Sequence, residues 1–292
     1  MRLLVIGKTG QVAHSLCERA EHFPGLDVKA VGRPEIELEI PGSAASVIGI
    51  EKPDVVINAA AYTAVDRAET DRDRAFRANA DAAGEIAAAA NSAGASVIHL
   101  STDYVFAGDA AEPYAEQAPT NPQNIYGQSK LAGELAVSEA SDKHLIIRTS
   151  WVYSPFGRNF VKTMMALADT REAIDVVDDQ RGCPTSALEL ADALLKIADQ
   201  LPGKFGTYHL AGDGETSWFG FAQAIMAERD RIGLRQAEVR PFASDAFVTP
   251  ARRPKNSRLN CRAFEDAYGF RLPPWTEALR PAVERTARMH AI

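Results

Sequence analysis

Tyr126 and Lys130, four residues apart in Tyr126-Gly127-Gln128-Ser129-Lys130, form the pair in this chain best suited to proton chemistry. On a helix this spacing stacks a phenol and an ammonium on one face, one turn apart. A phenol titrating near about pH 10 is a poor acid at neutrality, but a fixed cation beside it stabilises the anion, lowers the pKa and makes the phenol a usable proton donor. The same spacing occurs on ordinary half-exposed helices. The pair therefore acquires meaning only from the elements that would position it.

The first of those elements begins at residue 2. Arg2-Leu3-Leu4-Val5-Ile6 reads as a buried parallel strand, Gly7-Lys8-Thr9-Gly10 as a glycine turn and Gln11-Val12-Ala13 as a helix start. Directly after a first strand, such a turn suits a pyrophosphate. Gly7 permits the tight turn, Gly10 lets the backbone approach the anion, and small Ala13 lets the helix pack on the strand with its N-terminal amides facing the phosphates.

Further strand-like runs at Asp27–Val31, Val55–Asn58, Ser96–Ser101 and His144–Thr149 alternate with helix-like stretches, including the Ala-rich Asp71–Ser92 and the segment from Tyr126 to Ala140. The alternation predicts an α/β protein with a doubly wound, Rossmann-like parallel sheet and a dinucleotide-binding domain over residues 1–150. Beyond Ser150 the pattern loosens into a helix from Asn159, a strand at Ala173–Val177, a helix from Ser186, a strand at Gly206–Leu210 and a helix from Ser217. Residues 151–292 are expected to form a smaller, mainly substrate-binding α/β lobe, with the chain free to cross between lobes. No long Gly/Ser linker separates the two parts, so a cleft between them is expected.

Ligands of a doubly wound sheet sit beyond the carboxyl ends of its strands. After the second strand, Gly32-Arg33 lacks the carboxylate that would bond a ribose 2′-hydroxyl. An arginine there suits a 2′-phosphate and favours NADPH, with NADH as the alternative. Glu35, Glu39 and Ile40 lie where the adenosine half would sit. Asn58-Ala59-Ala60-Ala61 closes the third strand with small residues, which lets a cofactor lie against the backbone and equally suits a helix start. At the end of the fourth strand, the Thr102 hydroxyl can donate to a substrate oxygen or cap a turn. Asn79, in the helix before that strand, is a candidate to hold a water or the lysine backbone in a proton relay.

Several segments together resemble the extended short-chain dehydrogenase/reductase family: Gly7–Ala13, Asn58-Ala59-Ala60-Ala61-Tyr62-Thr63-Ala64-Val65-Asp66, Ser101-Thr102-Asp103-Tyr104-Val105-Phe106, Tyr126-Gly127-x-x-Lys130 and Arg148-Thr149-Ser150-Trp151-Val152-Tyr153. The resemblance continues through Gly157-Arg158-Asn159-Phe160, Asp179-Gln180-x-Gly182-x-Pro184-Thr185 and Arg253-Pro254-x-x-Ser257-x-Leu259, and so covers nearly the whole chain. It implies that Tyr126 is the proton donor, Lys130 its partner and the anchor of the nicotinamide ribose, and Thr102 the third catalytic hydroxyl. By the same resemblance Gly10, Gln11 and Val12 lie along the pyrophosphate, and Ala61, Tyr62 and Thr63 line the nicotinamide side. Thr102, Asp103 and Trp151 face the sugar, Asn159 lies on the substrate side, and Arg253 falls near the nucleotide phosphates. The implied reaction is hydride transfer to the C4 ketone of a dTDP-4-keto-6-deoxy-L-sugar. Some family members dimerise around a magnesium ion held by acidic side chains; no such ligands are assignable in this sequence, and a homodimer is an expectation only.

Composition narrows the function classes. At 292 residues the chain can bury a large core, and its formal net charge of -7 without a basic stripe argues against a nucleic-acid partner. Cys17, Cys183 and Cys261 are far apart, odd in number and in no metal-ligand spacing, which points to a reduced compartment. No apolar run approaches a membrane span, so the expected location is cytoplasmic with no membrane partner. Two rivals remain at this level. One is another nucleotide-sugar reductase or epimerase; the other is a non-catalytic regulatory subunit resembling that of methionine adenosyltransferase.

Overall fold

Leu3 and Val5 of strand β1 (Arg2–Ile6) pack into one apolar cluster, while Leu4 and Ile6 pack into another on the opposite side. That period of two, apolar on both faces, is what a strand covered by helices on each side requires. The same division runs through β2 (Asp27–Val31), β3 (Val55–Asn58), β4 (Ser96–Thr102) and β5 (His144–Thr149), where Val55 and Ile57 face one layer and Val56 the other. This computed structural model describes residues 1–198, 200–201, 203–246 and 248–290.

All neighbours in the main sheet are parallel. From one edge the order is the strand Gly206–His209, then β5, β4, β3, β1 and β2. Helices Gln11–Arg19 and Ala187–Ile197 cover one face through Ala13, Leu16, Leu190 and Leu194. Helices Ser43–Glu51, Ala82–Ser92 and Ile125–Ala140 cover the other through Ile48, Ile86 and Val137. The sheet is doubly wound, as the alternating pattern predicts. The strand at Gly206 and the helix from Ala187, grouped by sequence with the smaller lobe, instead complete the main sheet and its covering layer. Local pattern reports burial and period; it does not report which strand a distant segment will pair with.

The Ala-rich stretch is not one continuous helix. It runs as helix Arg72–Phe76, a single wide turn over Arg77–Asp81, and helix Ala82–Ser92. A π-type turn of this kind inside a helix often accompanies a functional site, and Asn79 lies within it. Its carbonyl is pressed against Gly133 of the Tyr126 helix, where an added Cβ would come within 2.0 Å of the Asn79 oxygen. Small residues on both helices thus bring Tyr126 and Lys130 close over the sheet.

A third cluster joins Tyr153 of the short strand Val152–Tyr153 with Met164, Val176, Phe221 and Val283, from helices Phe160–Thr170, Trp218–Arg231 and Trp275–His290 and from strand Ala173–Val177, which pairs in parallel with Glu238–Phe242. That partner strand and the last helix left no clear sequence signal, because Pro241 and Pro281 sit inside them. Proline normally argues against both settings.

Candidate active site

The chain leaves β1 for β2 on one side and returns to β3 on the other, so the order reverses between β1 and β3. A doubly wound sheet opens its ligand crevice at such a point. Gly7 has φ +123, a region closed to most side chains, and a Cβ there would meet the Ala59 carbonyl carbon and the Ala60 nitrogen at 3.3 Å. The end of β3 therefore lies at backbone distance from the glycine turn. Gly10 is the N-cap residue of helix Gln11–Arg19 and places no side chain over its first amides, which suits an anion.

Gln11 behaves differently from its neighbours. Its side chain donates to the Val152 carbonyl at 3.3 Å and accepts from Ser154 Oγ at 3.0 Å and Asn159 Nδ2 at 2.9 Å. Asn159 in turn caps helix Phe160–Thr170 by accepting from the Lys162 amide at 3.1 Å, and donates to the Ser154 carbonyl at 2.7 Å. Both side chains pin the 152–159 segment to the glycine turn. Val12 packs into the core beside it. At the adenosine end, Arg33 is exposed beyond β2, Glu35 pairs with Lys8 at 3.1 Å, Glu39 pairs with Arg74 at 2.6 Å, and Ile40 is exposed.

Asn124 starts the Tyr126 helix by accepting from the Gly127 amide at 2.8 Å, and also donates to the Arg252 carbonyl at 2.8 Å. Tyr126 is half-buried, with its ring edge-on to Tyr104 at 5.7 Å between centroids. Burial first, then the charge of Asp103, pushes its phenol up to about 12, while a hydrogen bond with Thr102 acts the other way. The spacing argument predicts a phenol lowered by Lys130. In the folded protein desolvation wins instead. Lys130 is itself buried and pushed down to about 8 by that burial, against the attraction of Glu134.

Thr102 and Asp103 stand together at the end of β4. The Thr102 hydroxyl donates to Asp103 Oδ1 at 2.8 Å and accepts from the Tyr104 amide at 3.3 Å. Burial raises the Asp103 carboxyl to about 7, and its Oδ2 has no hydrogen-bond partner among the described residues. A buried carboxyl so raised, bonded to the Thr102 hydroxyl, sits where it can orient that hydroxyl toward a ligand. Asn79 accepts from the Tyr62 amide at 2.7 Å and donates to the Tyr62 carbonyl at 3.0 Å and to Ser129 Oγ at 2.9 Å. It clamps the Ala61-Tyr62-Thr63 turn to the Tyr126 helix.

Across the cleft, Trp151 takes φ +49, unusual for a bulky residue, and stacks on Trp218 at 3.6 Å between centroids. Its indole donates to Ser257 Oγ at 3.1 Å and presses on Gly182, where a Cβ would lie 2.4 Å from the ring. Arg253 reaches back to Asp66 with two bonds of 3.0 and 2.7 Å, and the guanidinium holds that carboxyl below its usual range.

Spacing in the sequence missed the residues that support this set. Glu134 pairs with Arg148 at 2.7 Å, both buried, and also accepts from Ser101 Oγ. His99 and Asn58 lie under Lys130. A histidine interrupting the apolar run of β4 was the available signal for His99. No group of three or more His, Cys, Asp or Glu among the described residues is arranged to hold a metal ion, so magnesium gains no ligand set here. No helix among them is long and apolar enough to cross a membrane.

A glycine turn at the strand-order reversal, with Thr102 at the end of β4 and Tyr126 and Lys130 on the helix over it, is the arrangement expected from the resemblance to extended short-chain dehydrogenases/reductases. Residues 1–288 match the family model for the RmlD substrate binding domain, and the chain belongs to that family. It is 46% identical over 288 residues to the dTDP-4-dehydrorhamnose reductase of Sinorhizobium fredii, covering 97% of each chain. Its fold matches the crystal structure of a dTDP-4-dehydrorhamnose reductase from Clostridium acetobutylicum with a TM-score of 0.92 at 36% identity, covering 97% of this chain and 99% of that one. The Bacillus anthracis dTDP-4-dehydrorhamnose reductase, solved in complex with NADP, matches with a TM-score of 0.91 at 36% identity over 96% of this chain and 98% of that one.

Proposed function

We propose that this protein reduces the C4 ketone of dTDP-4-dehydro-L-rhamnose to give dTDP-L-rhamnose, using NADPH in preference to NADH. The observation that carries the reading is Tyr126 hydrogen-bonded with Thr102 at the end of β4, with Lys130 one helical turn along and bonded to the Leu100 carbonyl of the same strand, beside the glycine-turn crevice. A nicotinamide bound in that crevice supplies the hydride. Gly7, Ala59 and Ala60 hold their backbones close enough to wall the dinucleotide, and the Gln11 amide begins a helix whose dipole favours the pyrophosphate.

Tyr126 donates its proton to the oxygen that becomes the C4 hydroxyl. A phenol raised to about 12 keeps that proton at neutral pH, and Lys130 as an ammonium one helical turn away stabilises the phenolate left behind. Thr102 donates to the same oxygen by turning its hydroxyl from Asp103 Oδ1 to the substrate. Trp151, fixed by Trp218 and Ser257, forms the opposing wall against the sugar. Arg253 meets the diphosphate by exchanging its bonds to Asp66 for bonds to phosphate oxygens. Asn159 acts at one remove, holding the 152–159 segment in place.

The test supplies dTDP-4-dehydro-L-rhamnose with each reduced nicotinamide in turn, follows loss of the reduced-cofactor absorbance and identifies the sugar by NMR. Faster loss with NADPH and formation of dTDP-L-rhamnose is the expected result. The C4 epimer would move the protein to another nucleotide-sugar reductase. Tight cofactor binding without turnover would favour the regulatory-subunit alternative.

A further inference from the structure

Beneath Lys130 lies a buried chain of polar groups that the reduction itself does not use. Asn58 ends β3 and His99 is its register partner on β4; both are almost fully buried. The orientation of the Asn58 amide is set by its own backbone, because Oδ1 accepts from the Ala60 N–H at 3.3 Å. That leaves Nδ2 to donate to His99 Nδ1 at 3.0 Å. A neutral imidazole whose Nδ1 accepts must carry its single proton on Nε2. Burial, followed by the Lys130 charge, holds the ring well below the usual histidine range and therefore neutral.

His99 Nε2 lies 3.3 Å from Lys130 Nζ, and Nζ also donates to the Leu100 carbonyl at 2.7 Å. An Nε2–H facing an ammonium sets donor against donor. Facing a neutral amine, it donates to the nitrogen lone pair while an amine N–H still serves Leu100. We propose that His99, locked by Asn58 in its Nε2–H tautomer, is a positioning residue that disfavours the ammonium of Lys130 in the free protein, so that cofactor binding draws Lys130 further toward the ammonium by uptake of a proton from water. The inference rests on reading Lys130 as the cation of the cofactor crevice.

The charged and titratable surroundings fit a group held near its switching point. Glu134, one turn further along the same helix, favours the ammonium, but its carboxylate is already shared by Arg148 of β5 and Ser101 of β4. Tyr126 lies a turn before it, and His99 faces it from β4. Burial outweighs the Glu134 attraction and brings Lys130 down to about 8. A dinucleotide adds pyrophosphate charge to the same crevice, and an anion tips such a lysine toward the ammonium.

Two measurements on the free protein test the proposal. Histidine-selective 15N NMR, assigned with His99→Gln, reads the ring tautomer in the wild type: a proton on Nε2 is expected, and a proton on Nδ1 overturns the proposal. Lysine-selective 13Cε titration, assigned with Lys130→Arg, is expected to place Lys130 well below the ordinary range and to move it up by about one pH unit in His99→Gln, because a glutamine oxygen can accept from the ammonium. Saturating NADPH should raise it in the wild type as well. An unmoved Lys130 titration in folded His99→Gln, or on adding NADPH, overturns the proposal; a variant that does not fold leaves the wild-type tautomer and NADPH arms to decide. In turnover, the alkaline limb of kcat/KM should shift upward in His99→Gln, whereas a merely structural role lowers the rate at every pH. A protein with the Nε2–H tautomer and the depressed lysine but no sugar reduction would fail the proposed function and keep this inference.

Discussion

Along the proposed cofactor wall, the glycine turn and the end of β3 approach at backbone distance; along the proposed substrate wall, side chains are held by partners far away in the chain. Gly7 lies against Ala59 and Ala60. Trp151 depends on Ser257, Gln11 on Asn159 and Arg253 on Asp66, at sequence separations of 106, 148 and 187. A backbone-shaped surface has few side chains to exchange, but a single added methyl can close it. A surface assembled from side chains can lose one member and keep its shape. Under the proposed function, the first wall would meet a cofactor of constant structure and the second a sugar nucleotide whose identity must be read.

Tyr126 stands where the two walls meet, and removing its hydroxyl should give the largest effect of any single change. Tyr126→Phe keeps the ring against Tyr104 and loses the proton, so kcat should fall on the order of 10² to 10⁴ while NADPH binding, followed by fluorescence titration, stays near that of the wild type. A folded variant with near-normal kcat would remove the phenol from the mechanism.

Breaking the cofactor wall comes next. Gly7→Ala places a methyl group against Ala59 and Ala60 in a backbone conformation that alanine resists, with strain of about 1–3 kcal/mol before any loss of approach to the pyrophosphate. Thermal unfolding should shift downward and the Kd for both NADPH and NADH should rise together. Equal stability and unchanged Kd would show that the contact at the β1–β3 reversal relaxes freely.

The substrate wall should respond more gently and in another parameter. Arg253→Ala removes a guanidinium that is already satisfied by Asp66, so its gain on phosphate is a difference between two charge-assisted partners, about 1–2 kcal/mol. Steady-state kinetics should show a higher KM for the sugar nucleotide with the NADPH Kd unmoved. If KM and kcat both stay at wild-type values, the diphosphate is held elsewhere.

The same contrast explains what could be read from the sequence. Strands β2, β3 and β5 run over the residues their apolar pattern predicts, β4 ends one residue later at Thr102, and the Tyr126 helix begins one residue earlier at Ile125. These features are local, set by side-chain period and by the glycines and caps that end each element. Gly7 and Gly10 were legible for the same reason. The partners of the site were not: nothing near Lys130 in sequence signals His99 beneath it, and nothing near Arg253 signals Asp66. The depressed Lys130 and raised Tyr126 escaped as well, because spacing shows that two groups are neighbours but not how much water each has lost. Helix Ala187–Ile197 and the strand at Gly206 cross back from the smaller lobe to the main sheet, and local pattern could not say so because pairing beside β5 is decided by the finished sheet.

The smallest effect is expected at Arg33, and it sharpens the comparison because here the cofactor wall relies on a side chain. Arg33 is exposed at the end of β2, while the nearby carboxylates Glu35 and Glu39 are engaged by Lys8 and Arg74. A 2′-phosphate would therefore meet a solvated guanidinium, worth about 1 kcal/mol or less and weakened by salt. Arg33→Ala should raise the NADPH Kd by roughly three- to fivefold at low ionic strength, leave NADH unchanged, and lose most of that distinction at high salt. Titrating both cofactors at two salt concentrations separates the cases. A parallel loss for NADPH and NADH would mean that Arg33 supports the adenosine site through its shape, and that the preference for the 2′-phosphate is set by another group.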